Sequence, residues 1–175
     1  HVTEEYSVDS HDGEHNARPD IVLFVNGIPF AVIECKAPHN TVEQGVEQTL
    51  RNEQADYIPQ LFKFAQIVMA TNKNAVKYAT AGTPKKFWSV WKEENQEFLE
   101  EKIAECISGR QPTVQDENII ALFSKEHLME LTKYFVVYDA NVKKICRYQQ
   151  YFAIKEIIKT INTNDVQGNR QSGVI

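Results

Sequence analysis

The sequence is poor in the features that define several common protein classes. Its 175 residues include three cysteines, Cys35, Cys106 and Cys146, which lie far apart and form no Cys-x-x-Cys pair. An odd number of dispersed cysteines supports neither a disulfide framework nor a zinc site. No apolar run approaches the roughly 20 residues that a membrane-spanning helix requires, and the first residues do not resemble a signal peptide. We therefore expect a cytoplasmic protein with reduced thiols.

The chain also lacks a glycine-rich phosphate loop, an internal repeat and an excess of positive charge. It has 19 basic and 24 acidic residues, which gives a formal net charge of −5. A protein that binds nucleic acid tightly on its own usually carries a strongly basic surface. The charge balance therefore argues against strong independent DNA affinity, but it is compatible with a domain that a larger assembly delivers to DNA.

The most informative feature is a pair of apolar, strand-like runs on either side of Asn26-Gly27. Asn-Gly between such runs is a strong signal for a β-hairpin. Three ionisable residues, Asp20, Glu34 and Lys36, stand at the outer ends of the two runs. Burial of charged side chains without a partner is costly. A bound divalent cation would account for all three.

The length of the hairpin loop decides which residues face each other. With a two-residue loop Asp20 lies opposite Ile33, whereas with a three-residue loop it lies opposite Glu34. Glu34 and Lys36 share one face of their strand because side chains alternate. Three-residue loops with a left-handed residue are common, so we expect that register. Pro29 has no N–H donor and is expected near the hairpin end or a bulge.

Two carboxylates and one ammonium group in one patch suit a hard cation. Nearby carboxylates repel unless positive charge lies between them, and Mg²⁺ prefers oxygen ligands. Asp20 and Glu34 would supply carboxylate oxygens and Cys35 a backbone carbonyl, and Mn²⁺ is possible in the same place. Lys36 would orient or help deprotonate an attacking water, or offset charge on a phosphoryl transition state. The pattern predicts phosphodiester hydrolysis, although a structural ion pair uses the same residue types.

This stretch resembles the PD-(D/E)xK nuclease motif. More narrowly, the segment from Arg18 to Lys36 closely resembles the N-terminal nuclease domain of the R subunit, the restriction and translocation subunit, of type I restriction enzymes. The resemblance implies that Asp20, Glu34 and Lys36 are the catalytic residues of a Mg²⁺-dependent endonuclease that cleaves double-stranded DNA. It covers most of the chain, because further similar segments lie at residues 57–62, 83–88, 147–153 and 170–175.

The helix after the hairpin carries the next candidates. Some related nucleases have Gln-x-x-x-Tyr on this helix, and by resemblance Gln48 is a catalytic residue that supports the site, whereas Asn52 stands at the Tyr position. Gln44 and Arg51 share a helix face with Gln48 and can face DNA. A solvated polar stripe is the alternative interpretation for Gln44 and Arg51.

Other candidates lie further along the chain. Lys73 and Lys77 belong to a loosely basic region that can contact the DNA backbone. Arg147 and Gln150 are nucleotide-binding candidates that could touch adenine or a motor domain, or could simply cap the last helix. His15 is a weaker candidate ligand, as is His11, because imidazole prefers softer metals than Mg²⁺.

The resemblance also implies partners for a larger protein. The whole subunit would hydrolyse ATP to translocate DNA and would work with methylation and specificity subunits, so ATP is expected only in the full-length subunit. Two alternatives stay open. The chain can be a stand-alone repair or structure-specific nuclease of the same superfamily, or a catalytically inactive docking module whose carboxylates form an ion pair.

The expected fold is α/β, a restriction-endonuclease-like mixed sheet flanked by helices and followed by a mostly helical segment. We expect a nuclease core over residues 1–82, a helical extension over 83–161 that packs on the core and leads to a motor domain, and a linker over 162–175. Both ends of the sequence read as secondary-structure elements that are cut short. Periodicity predicts strands at 2–9, 20–25, 29–36, 66–71 and 75–80 and helices at 40–56, 92–108, 116–133 and 147–161.

Overall fold

The computed structural model describes residues 1–10, 12–164 and 166–170. The strands in these ranges are β1 (Val2–Glu4), β2 (Val8–Asp9), β3 (Asn16–Ala17), β4 (Ile21–Val25), β5 (Ile28–Cys35), β6 (Ile67–Asn72), β7 (Ala75–Ala79), β8 (Val136–Asp139) and β9 (Val142–Ile145). The helices are α1 (Val42–Asn52), α2 (Pro59–Phe62), α3 (Gln96–Cys106), α4 (Val114–Phe123), α5 (Lys125–Tyr134) and α6 (Tyr148–Asn162), with a 3₁₀ turn at Lys85–Phe87.

A mixed five-stranded sheet forms the centre of the fold. Its strand order is β1-β4-β5-β6-β7. Strands β5 and β6 are parallel, and the other neighbours are antiparallel. A parallel pair requires a crossover connection, and α1 and α2 provide it here. The sheet flanked by helices confirms the predicted restriction-endonuclease-like α/β fold.

Alternating side chains divide the core between the two faces of the sheet. On one face, Val32 and Val68 belong to the same buried cluster as Val46 of α1. On the other face, Ile33 and Met69 belong to a second cluster that also contains residues of α4, α5 and α6. The strands are apolar on both sides because helices cover both. The helical segment after β7 therefore packs on the sheet.

The β4–β5 hairpin differs from the predicted three-residue loop. Val25 pairs with Ile28, and the turn has two residues, Asn26 at φ 51° and Gly27 at φ 80°. Positive φ at both central residues is typical of a type I′ turn. The prediction failed because it used loop length alone to set the register, whereas an irregularity within the strands also shifts it.

A β-bulge places Asp20 beside Glu34, as predicted, although the loop is shorter than predicted. Leu23 pairs with Ala31 while Phe24 pairs with Pro29, so one extra residue lies in β5. Beyond this bulge Ile21 pairs with Ile33. The next position along each strand therefore places Asp20 beside Glu34. Pro29 lies next to the bulge, as its missing N–H predicts.

Several predicted elements are shorter or divided. The strand expected over residues 2–9 is interrupted, because Glu5 adopts a left-handed conformation at φ 49°. The helix expected to reach residue 56 ends at Asn52. The single helix predicted over 116–133 is two helices, separated at Ser124, whose ψ of 140° is not helical. Local backbone breaks of this kind leave little trace in hydrophobic periodicity.

The extension after residue 82 has features that periodicity does not show. Trp88 and Trp91 lie outside any α-helix, and each is buried in a different core cluster. Strand β9 pairs with β8 to form a small hairpin before α6. Asn164 and Arg170 form a β-bridge within the expected linker. Residue 165 and residues 171–175 of that linker lie outside the described residues, and the boundary at residue 82 stays a prediction.

No helix in the described ranges combines the length and the apolar character needed to cross a bilayer.

Candidate active site

Asp20 and Glu34 meet at the outer end of the β4–β5 hairpin. The carboxylate of Asp20 accepts a hydrogen bond from the backbone N–H of Cys35, with an Oδ2–N distance of 2.6 Å. This bond fixes Asp20 against the strand that carries Glu34. The side chain of Glu34 has no solvent exposure. Neither of its carboxylate oxygens has a hydrogen-bond partner in the described part of the chain.

The electrostatic environment of Glu34 is unfavourable to its charge. Burial and then the nearby negative charge of Asp20 raise the pKa of Glu34 to about 8, although the positive charge of Lys36 opposes the shift. A buried carboxylate without a hydrogen-bonding partner is among the most costly groups in a folded protein. A cation between the two carboxylates would remove that cost.

Lys36 lies beside the two carboxylates, and both its backbone and its side chain are held by hydrogen bonds. Its backbone N–H donates to the carbonyl of Thr71 on β6, at 2.7 Å. Its Nζ donates to Oε1 of Gln48 on α1 at 2.6 Å and lies 3.6 Å from Oε2 of Glu34. The Lys36 side chain is 16% exposed. The ammonium group is therefore fixed between Glu34 and Gln48, with limited access to solvent.

Helix α1 approaches the sheet closely enough to enclose the stem of Lys36. A Cβ atom added at Gly45 would lie 3.1 Å from Cβ of Ala70 and 3.5 Å from Cγ of Lys36. Glycine in a helix interior costs about 1 kcal/mol relative to alanine, so this position favours close packing over helix propensity. Sequence reasoning missed Gly45, although an isolated glycine in an amphipathic helix is a usable signal.

Cys35 can contribute only its backbone to this site. Its Sγ accepts a long contact from Nε2 of Gln115 at 3.8 Å. Gln115 belongs to α4, which lies on the side of the sheet opposite α1. Burial and the two nearby carboxylates raise the pKa of the thiol to about 11, so it remains protonated. The N–H of Cys35 is directed at Asp20, and the carbonyl of a strand residue points to the same side as its N–H.

The set of donors fits magnesium better than zinc. No group of three or more His, Cys, Asp and Glu side chains suited to a metal occurs among the residues that the structure describes. Zinc needs three or four such protein ligands. Magnesium is usually held by one or two carboxylates and keeps several waters. Asp20 and Glu34, the second of them buried and without a hydrogen-bond partner among the described residues, match the second pattern.

His15 does not add to these ligands in the described structure. The ring of His15 stacks on the ring of Tyr57, with centroids 5.2 Å apart and an interplanar angle of 15°. His11 lies outside the described residues. The interpretation of His15 as a metal ligand therefore gains no support.

The predicted DNA-contacting residues differ in the contacts that their side chains make. Gln44, Arg51 and Lys73 are exposed. Lys77 pairs with Glu43 of α1, with an Nζ–Oε1 distance of 2.8 Å. A partly exposed ion pair of this kind contributes little stability, but it offsets the charge of Lys77. Arg51 instead lies over the ring of Tyr57, with Cζ 5.2 Å from the ring centroid.

Arg147 and Gln150 lie elsewhere, at the beginning of α6. The backbone N–H of Arg147 donates to Oε1 of Gln150 at 2.9 Å, which is the capping interaction named above as the alternative to nucleotide binding. Both residues also line a cavity of about 520 Å³, together with Tyr78, Phe87 and residues of β9. This cavity shares no lining residue with the Asp20–Glu34–Lys36 cluster, so nucleotide binding by Arg147 and Gln150 stays a separate prediction.

Comparison with known protein families identifies the part of the chain that carries this site. Residues 1–87 match the model of the family described as the type I restriction enzyme R protein N terminus. Residues 1–87 belong to this family. The match includes Asp20, Glu34, Lys36 and all of α1, and it confirms the resemblance to the R subunit.

Individual relatives extend the similarity beyond residue 87. The chain is 30% identical over 174 residues to the type I restriction enzyme MjaIXP endonuclease subunit of Methanocaldococcus jannaschii, which matches 90% of the chain. It is 30% identical over 172 residues to the MjaVIIP endonuclease subunit of the same organism. It is 25% identical over 170 residues to the type I restriction enzyme HindI endonuclease subunit of Haemophilus influenzae. The helical extension is therefore also part of what the chain shares with these endonuclease subunits.

The chain spans 15–16% of the length of these three relatives.

Proposed function

We propose that this chain is a Mg²⁺-dependent endonuclease domain that hydrolyses phosphodiester bonds of double-stranded DNA within a type I restriction-modification system. The single observation that carries the proposal is the state of Glu34. Its carboxylate is fully buried and has no hydrogen-bond partner among the described residues, and it lies beside a second carboxylate, Asp20. A cation between the two carboxylates would offset the cost of burying this charge.

Asp20, Glu34 and the carbonyl of Cys35 are the groups that would hold the cation. The hydrogen bond from the Cys35 N–H keeps the Asp20 carboxylate in place before the cation arrives. When bound, Mg²⁺ would polarise the phosphodiester and lower the pKa of a bound water. The contribution of the chain is to fix the carboxylates and to exclude competing water from Glu34.

Lys36 is positioned to act on the attacking water or on the phosphate. An ammonium group has three N–H donors. One is directed to Gln48 at 2.6 Å, and a second faces Glu34 at 3.6 Å. The third can donate to a phosphate oxygen as negative charge develops, or can orient the water that attacks phosphorus. Gln48 acts through Lys36 by limiting where its Nζ can move.

DNA would approach the exposed side of this cluster. Gln44 and Arg51 on α1 and Lys73 on the β6–β7 turn are exposed polar or basic residues that we expect to contact the DNA, and Lys77 would join them only by leaving Glu43. With a net charge of −5, the chain needs help to reach DNA. Methylation and specificity subunits, and an ATP-dependent translocating motor in the whole cytoplasmic subunit, would supply it.

One contact favours a second candidate, an inactive docking module. The Nζ of Lys36 lies 3.6 Å from Glu34, so the pair can be a self-contained structural ion pair. A docking module of this kind would bind neither Mg²⁺ nor Mn²⁺, whereas the nuclease must bind at least one of them. A titration with either cation therefore separates the two candidates.

The experiment that tests the nuclease proposal is cleavage of DNA by the full subunit in its assembled complex. Asp20→Asn, Glu34→Gln and Lys36→Ala should each lower the cleavage rate at least about 100-fold, because each removes a charged group from the transition state. Glu100→Gln changes an exposed glutamate of α3 and serves as the control. Circular dichroism checks that every variant folds. Cleavage at the wild-type rate by Lys36→Ala would contradict the proposal.

A further inference from the structure

Three side chains from three segments form a stack beside the candidate active site. Arg51 of α1 lies over the ring of Tyr57, with its Cζ 5.2 Å from the centroid. The ring of His15 lies nearly parallel to that of Tyr57, with centroids 5.2 Å apart. Arg51 and His15 are exposed and Tyr57 is half-buried. The guanidinium of Arg51 also donates a long hydrogen bond to Oδ1 of Asn52 at 3.5 Å, so the stack and this bond together order an otherwise exposed arginine.

The position of the stack relates it directly to the catalytic cluster. Arg51 follows Gln48 by three residues on α1, so the two side chains share a helix face about 4.5 Å apart along the axis. Gln48 in turn contacts Lys36. His15 precedes Asp20 by five residues on the segment that enters β4. Two of the three segments in the stack therefore also carry residues of the catalytic cluster.

Charge distinguishes Arg51 from the other cations along α1. Lys77 is paired with Glu43, and Lys85 is paired with Glu47. No carboxylate lies within ion-pairing distance of Arg51 among the residues that the structure describes. In the described part of the chain, no ion pair therefore offsets its positive charge.

We propose that Arg51 is a phosphate clamp for the DNA strand that is cut, held in position by Tyr57 and His15. A guanidinium group binds phosphate through paired N–H donors, and it can stack on an aromatic face while doing so. Fixing the guanidinium before DNA arrives lowers the entropy that binding would otherwise cost. The clamp binds a phosphate close to the scissile one, and Tyr57 and His15 are positioning residues. This inference rests on the proposed function, because it assumes that DNA is the substrate.

The test measures duplex DNA binding by the full subunit in its assembled complex at several salt concentrations, without divalent cation so that no cleavage occurs. Arg51→Gln should lower the slope of log affinity against log salt by about 1, as expected for the loss of one phosphate contact. Tyr57→Leu should weaken binding about two- to fivefold, and Tyr57→Phe should restore it because the ring is retained. Lys85→Gln, whose cation is already paired with Glu47, is the matched control.

A double variant separates positioning from general structural damage. In the Arg51→Gln background, Tyr57→Leu and His15→Leu should have no further effect on DNA affinity, because each acts only through Arg51. An equal loss in both backgrounds would overturn the positioning role. An unchanged salt slope in Arg51→Gln would overturn the clamp itself.

The outcomes also distinguish the clamp from the proposed catalysis. If the full subunit cleaves DNA only with Lys36 intact but Arg51→Gln leaves the salt slope unchanged, the nuclease assignment stands and the clamp fails. If Arg51→Gln lowers the slope but Lys36→Ala leaves cleavage unchanged, the clamp stands and the catalytic assignment fails.

Discussion

The Nζ atom of Lys36 lies 2.6 Å from Oε1 of Gln48, which ties the hairpin that carries the candidate active site to α1. Gln48→Leu should lower DNA cleavage by about 10- to 100-fold, the range typical of residues that orient metal-site groups. The reason is that Lys36 would lose the acceptor that keeps its Nζ beside Glu34. Single-turnover cleavage by the assembled complex measures the effect.

Gln54→Leu provides a matched control for this substitution. Gln54 is an exposed glutamine beyond the end of α1, and its side chain bonds only the backbone of Leu50. It should therefore retain the wild-type rate. Equal rates for Gln48→Leu and Gln54→Leu would mean that the contact between Gln48 and Lys36 has no role in the reaction.

Gly45→Ala should impair cleavage about tenfold without unfolding the protein. Alanine favours the helix by about 1 kcal/mol, but its Cβ would lie 3.1 Å from Cβ of Ala70 and 3.5 Å from Cγ of Lys36. Helix α1 must then shift by a few tenths of an ångström, and such small displacements of reacting groups lower rates strongly. Cleavage rate and thermal unfolding temperature are measured together.

A second substitution relieves the contact and tests its cause. Ala70→Gly removes the Cβ that approaches position 45. In the double variant, cleavage should recover relative to Gly45→Ala alone. Full activity in the single variant, or no recovery in the double one, would show that the close approach of α1 does not position Lys36.

Glu53 should make stability depend on pH. Its carboxylate accepts a hydrogen bond from the N–H of Gly82 at 3.0 Å, and burial raises its pKa to about 7. Because this pKa is raised in the folded state, the folded protein retains the proton longer than the unfolded chain. The free energy of unfolding should therefore fall as pH rises from about 4.5 through 7. Urea denaturation at pH 5 and pH 7.5, without divalent cation, measures the change.

A comparison of variants isolates the contribution of Glu53 to the pH dependence of stability. It is needed because the raised pKa of Glu34, about 8, also makes stability fall as pH rises. Glu53→Gln should reduce the loss of stability between the two pH values, whereas Glu100→Gln should leave it unchanged. An identical pH dependence in the wild type and Glu53→Gln would rule out a shifted pKa at this position.

Short-range patterns in the sequence were sufficient to locate the candidate site. A few neighbouring residues determine the Asn26-Gly27 turn and the alternation that places Glu34 and Lys36 on one face. The strands expected at 66–71 and 75–80 were also predicted from local sequence. The meeting of Asp20 and Glu34 was expected from a three-residue loop, yet it results from a two-residue turn and a bulge. Two different local geometries give the same register, and sequence does not distinguish them.

Contacts between distant segments could not be predicted in this way. The approach of Gly45 to Ala70, the stacking of His15 on Tyr57 and the pairing of β8 with β9 depend on how helices and loops pack after the sheet has formed. The break at Ser124 likewise interrupts a hydrophobic pattern that continues across it. Tertiary packing decides each of these features, and no short motif encodes them.

The most direct test of the account is a calorimetric titration of the chain with Mg²⁺. The account predicts that the wild type binds Mg²⁺, that Asp20→Asn and Glu34→Gln abolish the binding heat, and that Glu100→Gln leaves it intact. Binding that persists unchanged in Glu34→Gln, or a wild-type chain that binds neither Mg²⁺ nor Mn²⁺, would contradict the claim that these two carboxylates form a cation site.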